Sequence, residues 1–305
     1  MVQLLVKYGA DVHSVKMEMV FDTWSNEIVE FFIEKGADLE TGNPLAYALC
    51  SRTRPALGIF KNYENRFPNL REQVNIALRH HCKKGNLKWV SLMLWAGADP
   101  YAKGLDSTNE PDPDTNSNAL ELAVLYGHLE VLKLKKMQLD PAHPEAGNLL
   151  QNACYTDSSD MMKMLLEKGF VPGDLEDKGS SLIQSLLSIM SCSFSLYEYA
   201  WIKENIDTFQ SREKVKMIHM VVRSGAKWQP ESRSDINNAR RSLLKMKPDY
   251  LMEFIWIMSE YKACIQEVVT ELTKTPTIRS HVTKKVNRFN ELIASFHDHL
   301  YINSK

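Results

Sequence analysis

The chain has 305 residues, of which 44% are apolar and 25% charged, so it can bury a sizeable core and is neither disordered nor collagen-like. Its 37 basic and 38 acidic residues leave a net charge of −1, which excludes a protein-wide attraction to nucleic acid or to an anionic membrane. A polyanionic partner would therefore need a local basic patch.

Cysteine usage and hydropathy favour the cytoplasm as the location. The five cysteines are far apart and none belongs to a CxxC pair, which is more typical of a reducing compartment than of a disulfide framework. No apolar run reaches the length of about 18 residues that a membrane-spanning helix needs, and the first residues lack the pattern of a secretory signal. We therefore expect a cytoplasmic protein with no membrane association.

Five glycines follow amphipathic stretches and predict helix ends. Three of them begin Gly-Ala-Asp triplets, at Gly9, Gly36 and Gly97, and Gly169 and Gly225 follow stretches of the same kind. Glycine adopts the left-handed conformation at the end of a helix without steric cost. Each of the five glycines is therefore expected to close a helix.

A second recurrent element predicts another helix before each of these. Asn43, Asn118 and Asn148 each stand before a short apolar segment, as the capping residue of a helix does. Tight turns that begin at Gly85 and Gly127 then lead into the second helix of the pair. The sequence therefore predicts repeated pairs of antiparallel helices.

The spacing of these pairs resembles that of ankyrin repeats. From Pro44, the equivalent positions Ala77, Ala119 and Leu149 follow at intervals of 33, 42 and 30 residues, and 33 is the ankyrin period. The clearest copy spans residues 73–103. The resemblance implies an all-α fold, an ankyrin-repeat solenoid of stacked helix pairs with a C-terminal helical cap, and a generic helical solenoid is the alternative.

The repeats are divergent. Arg79 stands where ankyrin repeats usually have histidine, and His81 takes a position usually held by a small residue. The first Gly-Ala-Asp triplet comes so early that residues 1–8 can supply only a second helix, so this end is either an unusual cap or a truncated repeat. The interval of 42 residues places an insertion near 104–115, where an ankyrin repeat carries its finger loop. Its acidic residues are expected to recognise a basic partner or to form a solvated loop: Asp106, Glu110, Asp112 and Asp114.

The predicted fold consists of two segments. Residues 1–230 form the divergent solenoid, and residues 231–305 form a degenerate repeat and the helical cap. Within the solenoid, the period breaks after Pro172, where the pattern predicts a first helix at 180–193, an inserted helix at 194–213 and a second helix at 213–223. Further helices are predicted at 235–246, 248–273 and 277–299, and the segment 249–258 is apolar nearly all round, as in a helix buried between layers.

The resemblance also implies where a partner protein would bind. Ankyrin arrays use their concave side, formed by the finger loops and the ends of the first helices. Tyrosine is a favoured anchor at such positions because it buries a large area and keeps a polar tip. The predicted contact residues are Cys50, Ser51, Lys83, Lys84, Tyr101, Lys103, Leu125, Tyr126, Tyr155 and Thr156.

Two alternative functions rest on the C-terminal region. A basic cluster within ten residues would suit a nucleic acid or another polyanion, or else it is a solvated helix face: Arg279, Lys284, Lys285 and Arg288. A catalytic C-terminal domain would need a cleft of titratable groups around Glu253, Glu260 or His281.

Motifs that would indicate chemistry are lacking. The chain has no GxSxG, no phosphate-binding GK[ST] loop and no HExxH. The segment 112–123 resembles a calcium loop, but Ser117 and Ala123 replace its glycine and its last glutamate. Neighbouring ligand-type residues at 80–82 and 297–299 point in different directions on one helix. We therefore expect no metal, no cofactor and no enzyme, but an adaptor or inhibitor that captures a protein.

Divergent repeats with long insertions also resemble ankyrin effectors and antagonists that bacteria, phages or viruses direct against host factors.

Overall fold

A computed structural model describes residues 2–106, 116–146, 148–156, 158–172, 182–192, 200–226, 228, 232–245 and 248–260. Throughout these ranges, every regular element is helical, so the predicted all-α class is confirmed at this level. The chain divides into two compact units, residues 1–149 and 150–305. The expected change of repeat character at residue 230 stays a prediction.

The helices of the first unit are arranged in two layers. They are α1 (Val2–Lys7), α2 (Met17–Phe21), α3 (Asn26–Glu34), α4 (Pro44–Cys50), α5 (Pro55–Tyr63), α6 (Leu70–Lys83), α7 (Leu87–Trp95), α8 (Ala119–Leu125) and α9 (Leu129–Leu132). Helices α2, α4, α6 and α8 pack against one another in chain order. Each is followed by a partner helix on the other layer, where α3 packs on α5 and α7 packs on α9. Helices α2, α4, α6 and α8 are called the first helices below.

The predicted glycine helix ends are confirmed. All five glycines have φ between +88° and +102°, in the left-handed region. At the end of α7, the Gly97 N–H donates to the Leu94 carbonyl, and the Ala98 N–H reaches back to the Met93 carbonyl at 3.1 Å. This pair of hydrogen bonds satisfies carbonyls that the end of a helix leaves free.

Polar side chains fix the register between successive first helices. The buried Gln73 near the start of α6 donates to the Leu39 carbonyl at 2.6 Å and accepts from the Leu45 N–H at 2.8 Å. At the other end of α6, the His81 ring donates to the Leu49 carbonyl at 3.0 Å. Because start bonds to start and end to end, α4 and α6 run parallel, and the His128 ring, in the turn after α8, bonds the Lys83 carbonyl at the end of α6, so the turns after these helices lie along one edge. Each bond also satisfies a buried backbone group.

Substitution of Gly85 tests how the end of α6 packs against the turn after α8. A Cβ atom at Gly85 would lie 2.5 Å from the His128 ring, which donates to the Lys83 carbonyl at 3.0 Å, whereas a Cβ at Gly127 would meet nothing within 4 Å. Both glycines have positive φ. We expect Gly127→Ala to cost about 1 kcal/mol of stability through its backbone alone, and Gly85→Ala to cost about 1–3 kcal/mol more. Urea unfolding of the two variants measures the difference, and equal losses would contradict the packing described.

The helices of the second unit also pack in a regular order. They are α10 (Leu149–Ala153), which begins at the last residue of the first unit, α11 (Ser159–Glu167), α12 (Leu182–Cys192), α13 (Ala200–Arg223), α14 (Arg233–Lys245) and α15 (Pro248–Glu260). Helix α12 packs against α13 and α14, and α13 packs against α11 and α15. Alternate helices are therefore neighbours here, as in the first unit.

Two predictions for this unit are wrong. The inserted helix and the second helix predicted to meet at residue 213 are one helix, α13, because nothing between Ala200 and Arg223 is a glycine or proline that would end it. The segment 249–258 is not buried all round, since the Trp256 side chain on α15 is 56% exposed while Phe254 is buried. The helix predicted at 277–299, and the part of the preceding one beyond residue 260, lie outside the described residues.

Candidate functional site

The ends of three successive first helices meet on one side of the first unit. Helix α4 ends at Cys50, α6 carries His80 and Lys83 in its last turn, and Tyr126 directly follows α8. Asp106, from the loop after α7, pairs with Lys83 and lies close enough to act electrostatically on Cys50 and His80, while Tyr126 contacts Lys83. The cluster is called the helix-end site below, with the exposed neighbours Ser51, Lys84 and Leu125.

Arg79 holds the loop after α7 against the first helix α6. Its guanidinium is fully buried and donates to the carbonyls of Leu105 at 2.6 Å and Ala102 at 2.9 Å, and it forms an ion pair with Glu72. At Gly104, φ is +150° and a Cβ atom would lie 2.9 Å from the Arg79 guanidinium. A side chain at Gly104 would therefore push the loop off the arginine.

Asp106 fixes the segment of this loop that follows α7 to helix α6. Its side chain is 2% exposed and accepts from the Lys83 ammonium at 2.6 Å. The hydrogen bond to Asp106 raises the pKa of Lys83. The prediction that Asp106 recognises a basic partner is wrong, because its charge is buried and already paired. The other acidic residues of the predicted patch, Glu110, Asp112 and Asp114, lie outside the described residues.

Lys83 connects this anchor to the aromatic part of the site. Its ammonium lies 5.5 Å from the centroid of the Tyr126 ring, within range of a cation–π contact. The Tyr126 side chain is nevertheless 49% exposed, and the neighbouring Leu125 is 42% exposed. The structure thus places two large side chains at the surface, and the ring of one of them, Tyr126, contacts a lysine that Asp106 holds in place.

Cys50 and His80 are the titratable neighbours of Asp106. Burial, with a smaller effect of the Asp106 charge, raises the pKa of the Cys50 thiol to about 12, so the thiol is protonated at neutral pH and is a weak nucleophile. Burial lowers the pKa of His80. Across the described ranges, no three His, Cys, Asp or Glu side chains are grouped as a metal site would require.

Two predicted contact residues are used inside the protein. Tyr101 is 8% exposed, and its hydroxyl donates to the Gln138 carbonyl at 2.9 Å while its ring stacks on His143 at 3.7 Å between centroids. Thr156 is 6% exposed and donates to the Ala153 carbonyl at 2.8 Å. Their predicted contact with a partner is not retained, because a buried hydroxyl that already has a partner presents no surface.

The remaining predicted contact residues differ in how exposed they are and in the compact unit to which they belong. Lys103 is exposed but forms an ion pair with Glu145. Ser51 and Lys84 are exposed, and within the described part of the chain no carboxylate lies at ion-pair distance from Lys84. Tyr155 is 55% exposed and belongs to the second unit. The basic residues predicted for a polyanion, Arg279, Lys284, Lys285 and Arg288, lie outside the described residues.

Sequence reasoning missed Arg79, Gly104 and the pairing of Asp106. Arg79 was recognised only as a departure from the usual histidine, although an arginine among the buried apolar residues of α6 signals a buried polar network. No local pattern indicates which carbonyls it binds, since those belong to residues 23 and 26 positions later.

Comparisons with known proteins leave the family open. In the described parts of the chain, no helix is long and apolar enough to span a membrane. No protein-family model matches this chain, and no curated protein is significantly similar to it.

Proposed function

We propose that this chain is a divergent ankyrin-repeat solenoid that acts as a non-enzymatic protein-binding module. The order of helix pairs, the left-handed glycine ends and the polar bonds between successive first helices support the repeat assignment. Scaffolds of this kind bind through side chains that are not needed for stacking. The partner is another protein, held on the helix-end site.

The exposure of Leu125 and Tyr126 beside the Lys83–Asp106 pair is the observation that carries this proposal. A leucine and a tyrosine that are each more than 40% exposed are available as anchors for a partner. They lie at the end of α8 on a fixed support, so little conformational entropy is lost when a partner orders them. The exposed area of these two side chains and their preorganised position together favour a binding role.

The proposed biological role is that of a protein that binds its partner without acting on it chemically. A module that only binds acts as an adaptor or as an inhibitor, and divergent repeats with an insertion fit an effector or antagonist of bacterial, phage or viral origin. Free thiols at Cys50, Cys82 and Cys154 are compatible with a cytoplasmic location. No cofactor is part of this proposal.

Capture from cell lysates, followed by mass spectrometry, tests the proposal. The site variant is Leu125→Ser with Tyr126→Ala, which leaves Lys83 and Asp106 in place. The matched control is Leu87→Ser with Trp95→Ala, which removes a similar exposed area from the second-layer helix α7. We expect the intact chain and the control to retain one specific protein, and the site variant to lose at least about 90% of it, as the loss of one or two hot-spot anchors implies.

Two results would contradict the proposal. Retention of every captured protein by the site variant would separate binding from the helix-end site. Recovery of nucleic acid in place of protein, sensitive to salt, would favour the alternative function instead. Circular dichroism of both variants checks that they are folded, so that a loss of capture reports on the surface.

A further inference from the structure

The turns that follow the four first helices share one backbone conformation. In each turn the residue in the left-handed region donates its N–H to the carbonyl three residues earlier, at 2.9–3.2 Å. These equivalent residues are Trp24 (φ +56°), Arg52 (φ +65°), Gly85 (φ +67°) and Gly127 (φ +75°). Two turns thus have the expected glycine, and two have a large side chain.

A large side chain in the left-handed region is strained, so packing would ordinarily have to account for it. Packing does not account for Trp24, whose side chain is 57% exposed, or for Arg52, which is also exposed. Glycine would adopt the left-handed conformation at both positions without this strain. The feature that these residues add is what they present to solvent.

These side chains belong to one edge of the first unit. The edge is called the turn edge and is defined by Trp24, Arg52, Arg54, Lys84 and Tyr126, all of which are exposed. The order of the first helices places the two aromatic residues in the outer turns and the three cations between them.

The charge of the turn edge is unbalanced. As far as the structure is described, none of the three cations has a carboxylate at ion-pair distance, although the chain as a whole is nearly neutral. Asp22, beside Trp24, accepts a hydrogen bond from the Tyr47 hydroxyl at 3.3 Å, and Asp106 is buried against Lys83. The central part of the edge is therefore positive and complementary to an anion.

We propose that the turn edge binds an extended acidic peptide segment of the partner protein that has an apolar residue at each end. This inference rests on the proposed protein-binding function and specifies the chemistry of the partner. The acidic part lies along Arg52, Arg54 and Lys84, and the apolar ends contact Trp24 and Tyr126. Rim cations of this kind steer the encounter and set specificity.

The helix spacing gives the length of the segment. Three steps between neighbouring first helices, at about 8–10 Å each, separate the Trp24 turn from the Tyr126 turn by about 24–30 Å. An extended chain covers about 3.3 Å per residue, so the segment has about eight residues.

The order of the side chains favours a peptide over a single-stranded nucleic acid. Proteins that bind single strands stack bases on aromatic residues along a basic groove, so aromatic and basic residues alternate. Here the aromatic residues lie only at the two ends, and no aromatic side chain stands between Arg52 and Lys84 on the turn edge. An oligonucleotide therefore serves as a competitor in the test.

Fluorescence anisotropy with synthetic probes tests the inference. The probe is a peptide of about eight residues with glutamates between two terminal leucines, and the comparison peptide has glutamines in their place. We expect the full chain to bind the glutamate peptide at least about tenfold more tightly, with an affinity that falls as salt is raised. Similar affinities for the two peptides, or tighter binding of an oligothymidylate of equal length, would overturn the inference.

Charge variants distinguish specific peptide binding at the turn edge from a general effect of net charge on affinity. The edge variant is Arg52→Gly, Arg54→Ser and Lys84→Ser, and the control removes three exposed cations elsewhere: Lys35→Ser, Lys61→Ser and Lys136→Ser. We expect the edge variant to bind the glutamate peptide about tenfold more weakly and the control to bind it within about twofold of the intact chain. Equal losses in the two variants would contradict a specific edge.

Arg52→Gly alone gives a second readout that a structural role would not reproduce. Glycine relieves the left-handed strain, so the thermal midpoint is expected to rise while peptide affinity falls about threefold. A fall in both quantities would show that Arg52 is retained for stability and would overturn its assignment. Capture of one protein by the intact chain that is lost with Leu125→Ser and Tyr126→Ala, together with no binding of the glutamate peptide, would refute the turn edge and leave the helix-end site in place.

Discussion

Replacement of Arg79 by methionine should lower the free energy of unfolding by about 3 kcal/mol, the lower end of the cost of removing one partner of a buried ion pair. The lower end applies because Glu72, its carboxylate partner, is 44% exposed and can be hydrated once the arginine is gone. The carbonyls of Ala102 and Leu105 lose their donors as well. Urea unfolding at neutral pH measures the loss.

The same variant should release the loop after α7. In the intact chain, Lys103 lies in a segment that is held on both sides by the bonds from Arg79, so the peptide bond after it resists trypsin. We expect Arg79→Met to be cleaved after Lys103 at least about tenfold faster, a change that a loss of about 1.4 kcal/mol in local stability suffices to produce.

Lys133→Met is the control for Arg79→Met. Lys133 forms an exposed ion pair with Glu130 on α9, and such a pair contributes at most about 0.5 kcal/mol. If the two methionine variants were equally stable, or if Arg79→Met left the cleavage rate after Lys103 unchanged, Arg79 would not hold this loop.

His81 should make the stability of the first unit depend on pH. Burial lowers the pKa of His81 from its ordinary value of 6.5 to about 4. Its Nε2 donates to the Leu49 carbonyl, so Nδ1 carries no proton, and among the described residues Nδ1 has no hydrogen-bond partner. Protonation would therefore place an uncompensated charge in the interior, while the ring stacks on Trp89.

The sign of the effect follows from the lowered pKa. Between pH 6.5 and pH 4 the unfolded chain binds a proton at His81 that the folded chain does not, so the contribution is complete above pH 6.5 and is lost as the pH falls towards 4. The full difference corresponds to about 3 kcal/mol. His81→Gln retains a donor for Leu49 but does not titrate.

Urea unfolding at several pH values compares the two proteins. We expect the intact chain to lose about 3 kcal/mol more than His81→Gln between pH 7 and pH 4. Other titratable groups are shared by both proteins, so they largely cancel in this difference. Parallel curves for the two proteins would contradict the burial of a neutral His81.

The helix pairs of the first unit could be predicted because their signals are local. At Gly97, the helix is closed by bonds from Gly97 to Leu94 and from Ala98 to Met93, and Asn118 caps α8 through the N–H of Glu121, so a short stretch of sequence contains both partners. The sequence predicts two helices in place of α13 because the repeat period breaks there, but Ala200–Arg223 lacks a residue that would end a helix.

The candidate site was predictable only in part. Their position at the end of a predicted first helix was sufficient to predict that Leu125 and Tyr126 lie at the surface. It was not sufficient for Tyr101, whose hydroxyl bonds the carbonyl of Gln138, 37 residues later, or for Asp106, which pairs with a lysine 23 residues earlier. Contacts of that range depend on how the loops fold back, which helix periodicity does not encode.

The buried arginine and the exposed anchors are connected through Asp106. Arg79 fixes the loop that carries Asp106, Asp106 holds Lys83, and Lys83 supports the ring of Tyr126. A protein surface that is ordered before binding loses less entropy when the partner arrives. The network would therefore preform the contact surface that we propose at the end of α8.

Photochemical crosslinking from two single positions tests the central claim most directly. A phenylalanine analogue with a benzophenone group replaces Tyr126 in the helix-end site or Trp95 on the second-layer helix α7, and each protein is irradiated in the lysate used for capture. We expect a covalent adduct with the captured protein from position 126 and none from position 95. An adduct from position 95 alone, or equal adducts from both, would contradict a binding site at the ends of the first helices.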